Sequence, residues 1–214
     1  MFDVLDIVAL IIFLICFAGY HSAYFILTER YPHKSVKAYI KAFREKELEY
    51  LLSKGDYETL IQQLRDAINV SNIFASASLI FVGMILNLLI NLKDIAESLK
   101  IVNVEMFEFK VLFVAAIQAV SFIFFVSSLR YYRMVSLLAA TPPQTVKELL
   151  GIEAHKYFAQ LLEKGCSFYT LGSRGLLYSI FLLAWFVNTW MFIAIVVIAT
   201  ALFARYRDFM WQEV

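Results

Sequence analysis

Six residues spaced for one face of a helix carry most of the chemical interest of this 214-residue chain. They are Asn69, Asn72, Ser76, Gly83, Asn87 and Asn91, related by steps of three and four, with Leu79 or Ile80 filling the apolar rung. The surrounding stretch from Ala67 to Leu92 has no charged residue and is otherwise rich in Ile, Leu, Phe, Val and Met. Lipid offers an amide no partner, so the stripe must face protein or water. Facing water, and joined by Gln118 and Ser121 from a later stretch, it could replace the hydration of a passing ion or small solute without charged side chains. Facing protein, the same residues are helix-packing contacts, with Gly83 letting two backbones approach. The residue types permit both.

Other groups invite chemistry of their own. His21 sits with Tyr24 and Thr28 on one face of an apolar run, where an imidazole can carry a proton or hold a ligand. The simpler role is donation to a carbonyl or hydroxyl of a neighbouring helix. Lys110 at one end of the spans, with Arg130 or Arg174 at the other, would bias a passage toward anions. The run Gly172-Ser173-Arg174-Gly175 suggests an anion or lipid-headgroup nest at a helix N-terminus, or else a tight turn from which Arg174 reaches the interface.

No nucleophile with a base, paired carboxylates or metal cluster falls within the apolar runs, and all 18 acids lie outside them. That pattern disfavours an enzyme or an ion-coupled pump, and the expectation is a non-enzyme without metal or cofactor. A phosphate loop, a dinucleotide fingerprint and a haem-type His pair are also missing. Cys16 and Cys166 stand too far apart in the expected topology for a disulfide.

The elements that must position these residues are membrane helices. Hydrophobic residues make up 61% of the chain and charged ones only 17%, which places it among integral membrane proteins. Four uncharged runs approach or exceed the ~20 residues needed to cross: Ile7 to Thr28, Ala67 to Leu92, Val111 to Leu129 and Gly175 to Ala204. The last is too long for one span and too short for two, and is expected to tilt or project. The reading is all-α, a single membrane domain over residues 1–214 with four spans (7–28, 67–92, 111–129, 175–204) and two amphipathic extensions, 35–66 and 145–170. Thr145 with Glu148 resembles a capping box opening the second extension, and Ile95, Leu99 and Val102 suggest an interfacial helix between the second and third spans.

Lys and Arg number 14 in the two long connections and five elsewhere, so the connections are expected in the cytoplasm of the cell membrane and both termini outside. Arg205 and Arg207 oppose that placing of the C-terminus. The net charge of +1 gives no case for nucleic acid.

The residues also resemble a family of uncharacterised four-span membrane proteins, a domain of unknown function found in prokaryotes and plants. The likeness runs from about Ile7 to Phe203 and rests on Asn69, Ser71, Phe74-Ala75-Ser76-Ala77-Ser78, Lys110, Ser128-Leu129-Arg130, and Gly172-Ser173-Arg174-Gly175 with Tyr178 and Trp185. The Gly-x-Arg-Gly-x-x-Tyr element is its most specific part. The chain departs by having Ile68-Asn69 where the family pattern has Arg-Asn. The resemblance implies four spans and no particular activity. From the residues themselves, the expected function is an oligomeric channel or passive transport module with the stripe lining its path, in contact with membrane lipid. The alternative is a non-catalytic scaffold binding partners through its cytoplasmic helices.

Overall fold

The computed structural model describes residues 3–32, 35–98 and 103–209, and every regular element among them is helical. Helix α1 spans Val4–Arg30 and contains a π-helical turn at Ile15–Gly19. It is followed by α2 (Val36–Lys54), α3 (Tyr57–Ile90), α4 (Leu92–Ser98), α5 (Val104–Leu138), α6 (Pro143–Leu150), α7 (Ala154–Val187) and α8 (Thr189–Asp208). Five of these, α1, α3, α5, α7 and α8, are long and apolar enough to cross a membrane, so the four-span expectation is corrected to five candidates.

The correction comes from one residue. Asn188 is extended, at φ −160° and ψ 129°, and serves two helices at once. Its backbone N–H closes α7 on the Ala184 carbonyl at 3.0 Å, while its side-chain oxygen accepts from the N–H groups of Trp190 and Met191 at 2.8 and 3.2 Å, opening α8. The uncharged run from Gly175 to Ala204 therefore folds into an antiparallel hairpin. Trp185 stacks on Phe192, Tyr178 meets Thr200, and Arg174 meets Asp208.

The other boundaries also have local causes. Gly55 at φ 68° ends α2 in the left-handed region, and the Asp56 side chain caps α3 through the Thr59 N–H. Asn103 caps α5 through Met106. Pro142 precedes α6, so Thr145 lies inside the helix rather than capping it, and Gly151 at φ 70° turns the chain into α7. The second extension is thus α6 together with the first turns of α7, which continues without a break into its span. Of the interfacial residues, Ile95 lies on α4, while Leu99 and Val102 fall outside the described residues.

At ~1.5 Å per residue the 34-residue α7 is ~51 Å long, so it projects well beyond a ~30 Å hydrocarbon core. The projection lies at the end that carries the long helical connections, here the connection face; the opposite end is the turn face. Two apolar cores mark these ends. Phe13, Val114, Leu182, Trp185 and Phe192 pack toward the turn face. Leu48, Leu60, Val135, Val146 and Phe158 pack toward the connection face.

α5 and α7 form the central pair, and three glycines allow their close approach. A Cβ on Gly165 would fall 2.7 Å from the Tyr132 ring, on Gly172 3.0 Å from Phe125, and on Gly175 2.1 Å from Ser121 Oγ. α3 packs along the far side of α5 and makes few contacts with α7, so it stands at the edge of the bundle. The N-terminal part of α1 lies at the turn face, while Phe209 bridges to Ser35 at the connection face. The first and last described turns of the chain therefore lie at opposite ends of the bundle.

Candidate functional site

On α3 the residues that pack inward are Leu60, Leu64, Ser71, Ala75, Ser78 and Ile85. At ~100° per residue their mean direction lies roughly 150° from that of the polar stripe. Asn69, Asn72, Ser76, Gly83, Asn87 and Asn91 are all exposed. Asn91 donates to the Asn87 side chain at 2.9 Å and to its carbonyl at 3.0 Å, whereas Asn69, Asn72 and Ser76 find no side-chain partner among the described residues. Nothing lies within 4 Å of a Cβ placed on Gly83. The stripe thus looks out of the bundle. Midway along it stand Leu79 and Ile80, 55% and 64% exposed.

Gln118 and Ser121 do not join the stripe. Both are fully buried on the face of α5 that meets α7, where Ser179 Oγ donates to Gln118 Oε1 at 2.7 Å and Ser121 donates to the Ile117 carbonyl at 2.9 Å. The polar residues α3 sends inward are instead Ser71 and Ser78, whose hydroxyls have no partner among the described residues. Lys110 is engaged too, donating to the Trp185 carbonyl at 3.2 Å and pairing with Asp6 at 3.3 Å. Asp6 also accepts from Trp185 Nε1 at 2.7 Å and Thr189 Oγ1 at 3.1 Å, clasping α1, α5, α7 and α8 near the turn face. Arg130 remains exposed on α5.

The nest expected at Gly172-Ser173-Arg174-Gly175 is absent, because these residues lie mid-way along α7 and their backbone N–H groups are committed to the helix. The two glycines press against Phe125 and Ser121, and Arg174 points the other way. There it enters a buried ionic centre that sequence reasoning missed. Arg174 and Asp208 are each 1% exposed and form an ion pair, and Tyr20 donates to the same carboxylate at 2.5 Å. The guanidinium also lies over the Tyr24 ring, 4.9 Å from its centroid. Its Nε and Nη1 have no partner among the described residues.

His21 belongs to the same neighbourhood, packed edge-on against Tyr178 and Tyr20. Its Nδ1 lies 2.5 Å from the Phe17 carbonyl one turn back, so the bond is within its own helix rather than to a neighbour. Donation from Nδ1 leaves Nε2 as a buried nitrogen without a partner. Both π-helical turns among the described residues, Ile15–Gly19 and Phe203–Asp208, adjoin this centre. Their wider coil sets Tyr20, His21 and Asp208 at its edge. The net arrangement joins α1, α7 and α8 through one neutralised pair, and closes near the connection face where Thr28 meets Ser35 at 3.0 Å.

Asp208 is hidden in the sequence because α8 continues the uncharged run of α7 without a break in hydropathy. The signal for it was the over-long run itself, with Asn188 inside it and the Arg205-Tyr206-Arg207-Asp208 cluster at its end. A family model described as "Protein of unknown function, DUF599" covers residues 8–212. No curated protein and no solved structure matches the chain.

Proposed function

This chain belongs to the DUF599 family of proteins of unknown function, and from that premise we propose that it works as a homo-oligomeric membrane channel or passive transport module for an ion or small solute. The observation that carries the reading is the outward-facing stripe on α3. Asn72 and Ser76 stand exposed without a side-chain partner among the described residues, on an uncharged span at the edge of the bundle where lipid would leave their polar groups unbonded, and Asn87 is bonded only to Asn91 on the same stripe. Copies arranged around a symmetry axis would bring these faces together, and one helix per subunit would line the path. Leu79 and Ile80, at the middle of the stripe, would form a constriction that gates by dewetting.

The topology supports the orientation. With α8 crossing back, 14 Lys and Arg among the described residues fall on the connection face and two on the turn face, Arg174 being inside the bundle. The connections and the C-terminal end of α8 are then cytoplasmic, and the start of α1 is outside. The clasp at Arg174 and Asp208 is sealed and charge-neutral, so it stands apart from the path.

Single cysteines at positions 72, 76, 83 and 87 in a background lacking Cys16 and Cys166, probed in membranes with a small water-soluble thiol reagent, test this reading. Labelling through successive turns is expected, as is loss of conductance with retained assembly in Asn87→Leu. Uniform protection would remove the open path. Gly83 favours the competing reading, a non-catalytic assembly protein in which the stripe is a packing surface, because its open face lets a second helix approach closely. In that case Asn87→Leu disrupts assembly itself.

A further inference from the structure

A cleft of about 760 Å³ opens between the end of α1, the first half of α2 and the middle of α7, at the connection face. Its wall toward the membrane is apolar, formed by Phe25, Phe168 and Leu171. Its other wall is charged in a particular way. Glu163 is already held by Lys37 at 3.1 Å and Arg44 at 3.3 Å, and Lys37 is further fixed by Ser167 at 2.9 Å and by the Phe25 ring 4.2 Å away. These groups form a rigid floor. What remains free is two cations, Lys41 and Lys164, and two carboxylates, Glu29 and Glu45, none of which has an ion pair among the described residues.

From this juxtaposition we infer that the cleft binds a membrane phospholipid whose headgroup carries both a phosphate and a primary ammonium, as phosphatidylethanolamine does. Lys41 and Lys164 meet the phosphate, which a compact ammonium recognises as a point charge. Glu29 and Glu45 accept hydrogen bonds from the ammonium, a contact that a trimethylated headgroup has no N–H to make and that a glycerol headgroup has no charge to make. The acyl chains leave past Phe25, Phe168 and Leu171 into the bilayer. The apolar wall makes the occupant a lipid rather than a free headgroup, since a water-soluble phosphate ester would leave it unused. Basic pockets between spans at a membrane interface hold headgroups on the same electrostatic grounds, and here the added carboxylates select among them.

Native mass spectrometry of the purified full-length protein, with palmitoyl-oleoyl phosphatidylethanolamine, phosphatidylcholine and phosphatidylglycerol titrated separately, tests the inference. Phosphatidylethanolamine is expected to bind more tightly than the other two. Lys41→Ala and Lys164→Ala are each expected to weaken it about fivefold, the effect of one basic group at an interface. Glu29→Gln with Glu45→Gln is expected to abolish its advantage over phosphatidylglycerol. All four side chains are at the surface, so thermal melting of the variants should match the parent and show that loss of lipid is not loss of fold. Equal binding of the three lipids, or indifference of binding to all four substitutions, would overturn the inference. Displacement of the lipid by glycerophosphoethanolamine at matching concentration would overturn its lipid part.

Discussion

Arg174 on α7 and Asp208 at the end of α8 form an ion pair whose side chains are only 1% and 2% exposed, and Tyr20 of α1 completes it. Three spans therefore meet at one charge-neutral point. Removing one partner leaves the other buried and uncompensated, which costs about 3–5 kcal/mol. Arg174→Leu and Asp208→Leu should each lower the melting temperature in detergent strongly, and the double variant should melt above either single one. A double variant that merely sums the two losses would show that the pair does not interact.

The contact between Gly175 and Ser121 makes a steric prediction. A methyl group at position 175 would sit 2.1 Å from Ser121 Oγ, and both lie in the tight interface of α5 with α7. Gly175→Ala should destabilise by about 1–3 kcal/mol. Adding Ser121→Ala, which leaves Ser121 Cβ at 3.3 Å, should recover part of that loss. Thermal denaturation of the single and double variants measures both effects.

Gly83 is the opposite case, because no described residue outside its own helix turn comes within 4 Å of a Cβ placed there. Within one subunit Gly83→Ala should be harmless, or stabilising by up to ~1 kcal/mol through helix propensity. Where copies pack through this face, the same methyl group weakens association. Crosslinking or light scattering in detergent should show a shift toward smaller assemblies without a fall in melting temperature.

Outside the membrane, Lys147 and Glu153 close the Gly151 turn with a 2.7 Å ion pair. The hydrogen bond from Lys147, and then its charge, hold the Glu153 carboxyl below its usual range. A carboxylate depressed in the folded state contributes its stability above the unfolded pKa of ~4.3 and loses it as the pH falls through the folded value. Both groups are open to solvent, so salt screens the pair. Glu153→Gln should be indistinguishable from the parent at physiological salt. At low ionic strength a small difference in melting should appear at neutral pH and vanish on acidification below ~4.

Much of this architecture was legible because its signals are local. The uncharged runs marked α1, α3 and α5. The α7–α8 corner was not legible, since one extended Asn188 between apolar neighbours leaves the hydropathy pattern unbroken. The consequences spread from there. With the two helices read as one, Arg174 was assigned to the start of a span and the acid at Asp208 to a tail. The stripe on α3 was read correctly as a single face, but periodicity cannot say which neighbour a face meets. Gln118 and Ser121 have the same polar character as Asn72 and Ser76, and only the packing of α5 on α7 shows that they point elsewhere.

The hairpin at Asn188 also imposes an order on biosynthesis. Arg174 leaves the ribosome well before Asp208, and for that interval the membrane insertion machinery handles a fourth span with an unpaired guanidinium. An isolated charge of this kind raises the apparent free energy of insertion by ~2.5–3.5 kcal/mol when it lies near the middle of a helix. The fifth span brings the carboxylate that cancels it. Until α8 packs back on α7, the Arg174 guanidinium lacks the carboxylate that neutralises it in the folded bundle.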